Sequence, residues 1–270
     1  MNFRSFLDQL LNSRDNDEKS IHHDKIQDEF INIASHEMKT PVQSILTYSE
    51  LLHSNHNEIR TEYIDAIYRN ALRLQNLSKN LLDITRIENQ TLRLKNENFD
   101  INELVSSVIQ DFVRQISNSD IKTKNVRFLF SPKGHVLVRA DKDRIAQVIL
   151  NLIDNAFKFT QSGDILIDVN KQNDNDTVIV SVNDSGIGVN TQIAPRLFSK
   201  FATSSENGIG LGLYISKNII EAHDGKIWAQ SNYNKVGTTF SFKIPSKMNV
   251  KGLVKYQTSR KFLNKENNAT

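Results

Sequence analysis

Between residues 61 and 88 the apolar residues Ile64, Ile67, Ala71, Leu74, Leu77, Leu81 and Ile84 recur at steps of three and four. That is the period of one helix face. Residues 24–53 carry Phe30, Ile33, Ala34, Met38, Val42, Ile45 and Leu52, mostly at helical steps as well. The polar stretch HSNHNEIRTE, 53–62, holds the turn between them. The pattern predicts an antiparallel helical hairpin. Two helices cannot enclose a core, because each buries one stripe and leaves much of it wet. A second copy would complete a four-helix bundle by homodimerisation. The other solution packs the stripe on the rest of the same chain; the dimer is the simpler of the two.

After the polar stretch LKNENFDIN, 94–102, the pattern changes. A helix is predicted at about 101–117, then two strands, VRFLF and HVLVRA, then a helix over DKDRIAQVILNLIDNAFKFT. DILIDVN and TVIVSVND alternate as strands around the turn QNDND. A helix near Gln192–Lys200 and another after the glycines of 208–212 come next, and KIWAQSN with TTFSFKIP closes the pattern. Three strand pairs read as hairpins, which predicts an α+β domain with helices on one face of a mostly antiparallel sheet.

Composition narrows the function classes. Hydrophobic residues are 38% of the 270 and charged residues 24%, enough apolar material for a core. No segment approaches the roughly 18 to 20 apolar residues that cross a bilayer, and charges break the N-terminal stretch too early for a secretory signal. A cytoplasmic location is the expectation. With no cysteine, disulfides, thiolate metal sites and a cysteine nucleophile are excluded. The net charge is only +3. The end of the chain is basic and Asn-rich, with Lys247, Lys251, Lys255, Arg260, Lys261 and Lys265 against Glu266, and reads as a solvated tail. No nucleic-acid partner is expected.

The chain breakers are placed informatively. No glycine precedes Gly134, and Pro41 is the single proline before Pro132, so the first third reads as helix. Six of the ten glycines fall in DSGIG (184–188), GIGLGL (208–213) and Gly237 of GTTF. His36 lies mid-helix in SHEMKTP. Glu37 can hydrogen-bond one imidazole nitrogen and make the other more nucleophilic. Thr40 lies one turn on, and Pro41 removes the backbone bond to residue 37. In NLIDNAFKF, Asn151, Asn155 and Lys158 share one helical face. Two amides and an ammonium suit a magnesium–phosphate group. The same residues also fit a plain polar face, with Ile149, Leu152, Ala156 and Phe159 turned elsewhere. Asp184 ends a strand, where a carboxylate can accept from an exocyclic amine, and Gly186 and Gly188 let a flat ring approach; alone this is a common turn. Gly208, Gly210 and Gly212, with Leu211 between the last two, run into a helix whose free N–H groups can bind phosphate. Each motif by itself is weak. Their order in one chain, with Phe198 and Phe201 of LFSKF between them, has no bland account.

Read together, these segments resemble the sensor histidine kinases of two-component signalling. SHEMKTP is similar to the family's histidine box, NLIDNAFKFT to its asparagine box, DSGIG and GIGLGL to its glycine boxes, and LFSKF to its phenylalanine box. The resemblance covers about residues 24–245. It implies a lead-in at 1–23, a dimerisation and histidine-phosphotransfer hairpin at 24–90 and a hinge linker at 91–100. A Bergerat-fold ATP-binding domain, an α/β sandwich, would follow at 101–246, and a flexible tail at 247–270. By the match, His36 would be the phospho-acceptor, Glu37 its activating base, and Thr40 the residue that positions water when such kinases dephosphorylate their partner. Asn155, with Asn151 assisting, would hold Mg2+; Lys158 would contact phosphate, Phe159 would face the adenine and Asp184 would recognise its amino group. Gly208, Gly210 and Gly212 would shape the lid hinge and phosphate site, and Thr238 would help close the base pocket. Lys39 stands where arginine is commoner, and FATSSEN makes a short lid.

The implied activity is ATP-dependent autophosphorylation of His36, then transfer to an aspartate of a response regulator. With about 23 residues before the hairpin, the sensory input is expected from a separate protein. The rivals are a Bergerat ATPase that works by conformational change, a nucleotide-binding dimeric scaffold, and a kinase that acts mainly as a phosphatase.

Overall fold

The structure is a computed structural model that describes residues 34–54, 60–116, 124–172, 176–189, 193–203, 210–232 and 236–246. The chain forms two compact units, divided between Leu82 and Asp83. Phe30, Ile33, Gly208 and the basic tail lie outside the described residues.

The first unit contains helix α1, residues 34–54, and most of helix α2, Thr61–Glu88. Tyr48 meets Tyr63 with ring centroids 5.6 Å apart, and Glu37 meets Arg73 at 3.2 Å. Contacts that advance along one helix and retreat along the other make the pair antiparallel. Helix α1 continues through Pro41, which is buried. The expected stripe is only partly covered within one chain: Leu77 is 3% exposed, but Ile64 is 46% exposed. Val42, Leu46 and Tyr68 are exposed as well.

The second unit is a sandwich of helices on a five-stranded sheet, with a two-stranded sheet beside it. The sheet order is β2 (Val126–Phe130), β4 (Gly163–Gln172), β5 (Thr177–Asp184), β7 (Thr238–Pro245) and β6 (Lys226–Ser231). The small sheet pairs β1 (Asn96–Asp100) with β3 (Leu137–Asp141). The helices are α3 (Ile101–Gln115), α4 (Lys142–Phe159) and α5 (Gly212–Ala222). In β5 every second residue is buried, so Val178, Val180 and Val182 face the core. Phe240, Phe242 and Ile244 of β7 do the same beside it. Helix α4 answers with Ile145, Val148, Ile149, Leu152, Ile153 and Ala156, all nearly sealed from solvent. Their spacing follows the helix period, so one apolar stripe meets one apolar sheet face.

Three expectations are corrected. VRFLF and HVLVRA form strands β2 and β3 but do not pair with each other: β2 runs parallel to β4, and β3 pairs with β1. Parallel neighbours need a long crossover, and α4 supplies it between β2 and β4. Residues 96–100, read as part of a hinge, form β1, and the Lys95 N–H donates to Asp141 Oδ2 at 2.8 Å. Among the described residues, the helix expected near Gln192–Lys200 is a single 3₁₀ turn, Ala194–Arg196, with proline at its start. The hairpins β4–β5 and β6–β7 occur as read.

Helix starts are capped where the sequence offers aspartates. Asp100 accepts from the N–H groups of Asn102 and Glu103 and so begins α3; Asp141 accepts from Arg144 N and begins α4. Asp141 is also tied to α5. Its N–H donates to Nε2 of buried His223, whose Nδ1 faces Ile219 O at 2.8 Å. These partners require the neutral ring with the proton on Nδ1. Burial pushes the His223 pKa down. A depressed histidine value contributes stability that is complete above the unfolded pKa of about 6.5 and is lost as pH falls toward the folded pKa. The expected result is a lower urea midpoint at about pH 5 than at about pH 7, with the His223 ring titrating by NMR below an exposed histidine. A His223 ring that titrates like an exposed histidine would contradict this.

Candidate functional site

Helix α4 organises the second unit's candidate residues. Asn151, Asn155 and Lys158 fall at steps of four and three on it, spanning roughly 10 Å at 1.5 Å per residue. At one end of this row, Asn151 Nδ2 donates to Ser216 Oγ of α5 at 2.8 Å. The backbone of Gly212 presses on the same amide: a Cβ there would lie 2.2 Å from Asn151 Oδ1. Only glycine lets the start of α5 sit so close to α4. No side chain caps that start, so the first N–H groups of α5 remain available to an anion. Gly210 lies against the backbone of Phe201, which brings the phenylalanine and glycine segments together.

At the other end, the carbonyl of Phe159 accepts from Ile187 N at 3.3 Å. A Cβ on Gly186 would lie 2.4 Å from that carbonyl oxygen and 3.0 Å from Asp184 Oδ1. Asp184 is 3% exposed at the end of β5. Its Oδ1 accepts from Gly186 N at 2.9 Å and from Thr238 N at 3.1 Å. Its Oδ2 receives no hydrogen bond among the described residues. Burial pushes the Asp184 pKa up, partly offset by the two backbone N–H donors. A buried carboxylate held by one oxygen, with the other open, is an acceptor looking for a donor. Gly188 follows in the same turn, with a φ of 80°. Thr238 itself is buried.

Between these ends, Asn155 is half-buried and makes no side-chain hydrogen bond among the described residues. Lys158 pairs with Asp154 at 2.6 Å, and both remain substantially exposed. Asp154 was not singled out from the sequence, although its spacing of four from Lys158 is visible there. Ser216 and Asn232 were also missed. Asn232 Nδ2 donates to the Asp184 carbonyl at 2.8 Å and so braces the strand end. Its signal is long-range, across 48 residues.

The first unit holds His36, Glu37 and Thr40 on α1. The His36 side chain is 80% exposed, and its Nδ1 lies 3.9 Å from Glu37 Oε1. Glu37 is 17% exposed, and its Oε2 accepts from Arg73 Nη2 of α2 at 3.2 Å. The Thr40 hydroxyl is exposed and donates to the His36 carbonyl at 3.4 Å.

Residues 26–90 match the family model of the His Kinase A (phospho-acceptor) domain. Residues 140–248 match that of the histidine kinase-, DNA gyrase B-, and HSP90-like ATPases. The chain belongs to the sensor histidine kinases. Hybrid signal transduction histidine kinase C of Dictyostelium discoideum is 32% identical over 240 residues, 83% of this chain and 19% of that protein. The chain therefore spans about a fifth of that relative's length. Among solved structures, Acinetobacter baumannii histidine kinase AdeS superposes with a TM-score of 0.61 at 25% identity, covering 78% of this chain and 98% of that one. Histidine kinase ThkA in complex with response regulator protein TrrA gives a TM-score of 0.56 at 29% identity, covering 81% of this chain and 61% of that one. Within this sensor histidine kinase, the hairpin and the sandwich thus correspond to the phospho-acceptor and ATPase modules.

Proposed function

We propose that this histidine kinase phosphorylates its own His36 with ATP and passes the phosphoryl group to an aspartate of a response regulator. The observation that carries the reading is the exposure of His36, 80% of its side chain, beside the Glu37 carboxylate. The second unit of the same chain belongs to an ATPase family.

The residues of the second unit fit a nucleotide. Asp184 Oδ2 is an open acceptor for the adenine amino group, and Gly186, with no Cβ, lets the turn pack against the Phe159 carbonyl beside it. Phe159 and Thr238 flank this corner, and Gly188 continues its turn. The uncapped start of α5, with Gly210, Leu211 and Gly212, offers N–H groups to the phosphates, and Lys158 would exchange Asp154 for a phosphate oxygen. Asn155, with Asn151 assisting, would hold magnesium, which when bound offsets phosphate charge.

In the reaction, Nε2 of His36 attacks the γ-phosphorus in line, and the bond to the bridging oxygen of ADP breaks. The proton on Nδ1 passes to Glu37 Oε1, which has to close by about 1 Å to reach hydrogen-bond distance. Exposed Thr40, one turn from His36, would orient a water when the kinase dephosphorylates its partner. The uncovered apolar residues Val42, Leu46, Ile64 and Tyr68 support a homodimer through the hairpin. The ThkA complex with TrrA supports a receiver-domain partner. Among the described residues no helix is long and apolar enough to cross a membrane, which supports a cytoplasmic kinase core.

The test is incubation with γ-labelled ATP and magnesium. Acid-labile, alkali-stable label on the protein, lost to an added receiver domain, is the expected outcome. ATP hydrolysis without labelled protein would instead make this a conformational ATPase.

A further inference from the structure

We propose that Arg73 is a positioning residue for phosphorylation of His36, acting by holding the Glu37 carboxylate in reach of the imidazole. The inference rests on the kinase reading above. Side chains at adjacent helix positions diverge by about 100° and do not face each other. Glu37 therefore has no intrinsic reason to lie along the His36 ring. The observed carboxylate is turned toward α2, 17% exposed against 80% for His36. There Arg73 Nη2 takes Oε2 at 3.2 Å, and Oε1 is left 3.9 Å from Nδ1. The guanidinium occupies the oxygen that the imidazole does not use.

The contact has a second consequence. A carboxylate beside His36 repels an incoming triphosphate, and a neighbouring fixed positive charge offsets that repulsion. Arginine provides the charge without competing for the imidazole proton, since it stays protonated. Among the described residues the Arg73 guanidinium pairs with Glu37, so its influence should pass through Glu37 and appear in the rate rather than in ATP binding.

The experiment measures the single-turnover rate of His36 labelling at saturating ATP, and the apparent KM for ATP. The proteins are wild type, Arg73→Gln, Arg73→Lys, Glu37→Gln and the double variant Glu37→Gln/Arg73→Gln. Arg73→Gln is expected to slow labelling about tenfold with KM unchanged, and Arg73→Lys to remain within about threefold of wild type. In the Glu37→Gln background, Arg73→Gln should slow labelling no further, because the group it positions is already gone. A wild-type rate in Arg73→Gln overturns the proposal, as does equal slowing in both backgrounds or a raised KM alone. Arg73 is 39% exposed, so helicity and Tm are expected to hold. Should Arg73→Gln lose helix, Arg73→Ala, with the highest helix propensity, takes its place in the same comparison. A wild type that takes no label would remove the kinase reading itself, and the inference with it. Labelled wild type with unaffected Arg73 variants removes the inference alone.

Discussion

His36→Gln is expected to bring incorporated label to background, a loss of at least about a hundredfold, while leaving the fold intact. The imidazole is the nucleophile, and an amide nitrogen has no basic lone pair to attack phosphorus. Its side chain is 80% exposed, so replacement removes little packing. Changes at such positions fall within about 0.5 kcal/mol, which is a Tm shift of only a few degrees. ATP affinity should not change either, because the proposed nucleotide residues all lie in the second unit. The check is parallel measurement of label, of a fluorescent ATP analogue's affinity, and of thermal unfolding. Label persisting in His36→Gln would move the acceptor elsewhere. Label lost together with ATP affinity or Tm would show a damaged protein rather than a missing nucleophile.

Asp184→Asn is expected to do the opposite at the other end of the reaction: to abolish nucleotide binding while sparing or raising stability. Asparagine keeps the shape, and its Oδ1 can still accept from Gly186 N and Thr238 N. What changes is the open position, where the Oδ2 acceptor becomes an NH2 donor facing the adenine amino group. Losing a charge-assisted hydrogen bond and opposing two donors costs about 3 to 4 kcal/mol, a loss of affinity of at least about a hundredfold. The stability argument runs through the pKa. Burial holds the Asp184 value above the ordinary carboxylate range. A raised carboxylate value contributes stability that is complete below the unfolded pKa of about 3.9 and is lost as pH rises through the folded pKa. Above the folded pKa the ligand-free protein therefore bears the cost of a desolvated charge, and the neutral amide relieves it. Isothermal titration with ATP and magnesium, together with Tm at about pH 7, tests both halves. Wild-type affinity in Asp184→Asn would remove the residue from base recognition, and a large fall in Tm would assign it to folding instead.

The two variants also mark which parts of the molecule can be read without coordinates. Helices α2 and α4 are legible because their apolar residues recur at helical steps, and β5 because Val178, Val180 and Val182 recur at every second position, with Ser181 and Asn183 between and after them. The β4–β5 and β6–β7 hairpins join neighbours in the chain, so a turn between two alternating runs suffices to predict them. The polar row Asn151, Asn155 and Lys158 is visible as well, since helical spacing alone puts those positions on one face. Partners far along the chain are another matter. β2 and β3 look like a hairpin yet go to different sheets, because β3 finds β1 and ends in the Asp141 cap of α4. Glu37 and Arg73 are 36 residues apart, Asn151 and Ser216 65, and Asp141 and His223 82.

The sequence by itself determined the local elements, the apolar face of each, and the residue types able to hold a nucleotide or accept a phosphoryl group. Periodicity and side-chain chemistry are properties of short segments, and they survive without a fold. Only the tertiary structure decided that one Asp184 oxygen is bound and the other open. It likewise decided that Asn151 answers to Ser216 and that Arg73 holds Glu37. Such pairings depend on how whole elements pack against one another, and packing is settled jointly by many residues that no single window of the chain contains.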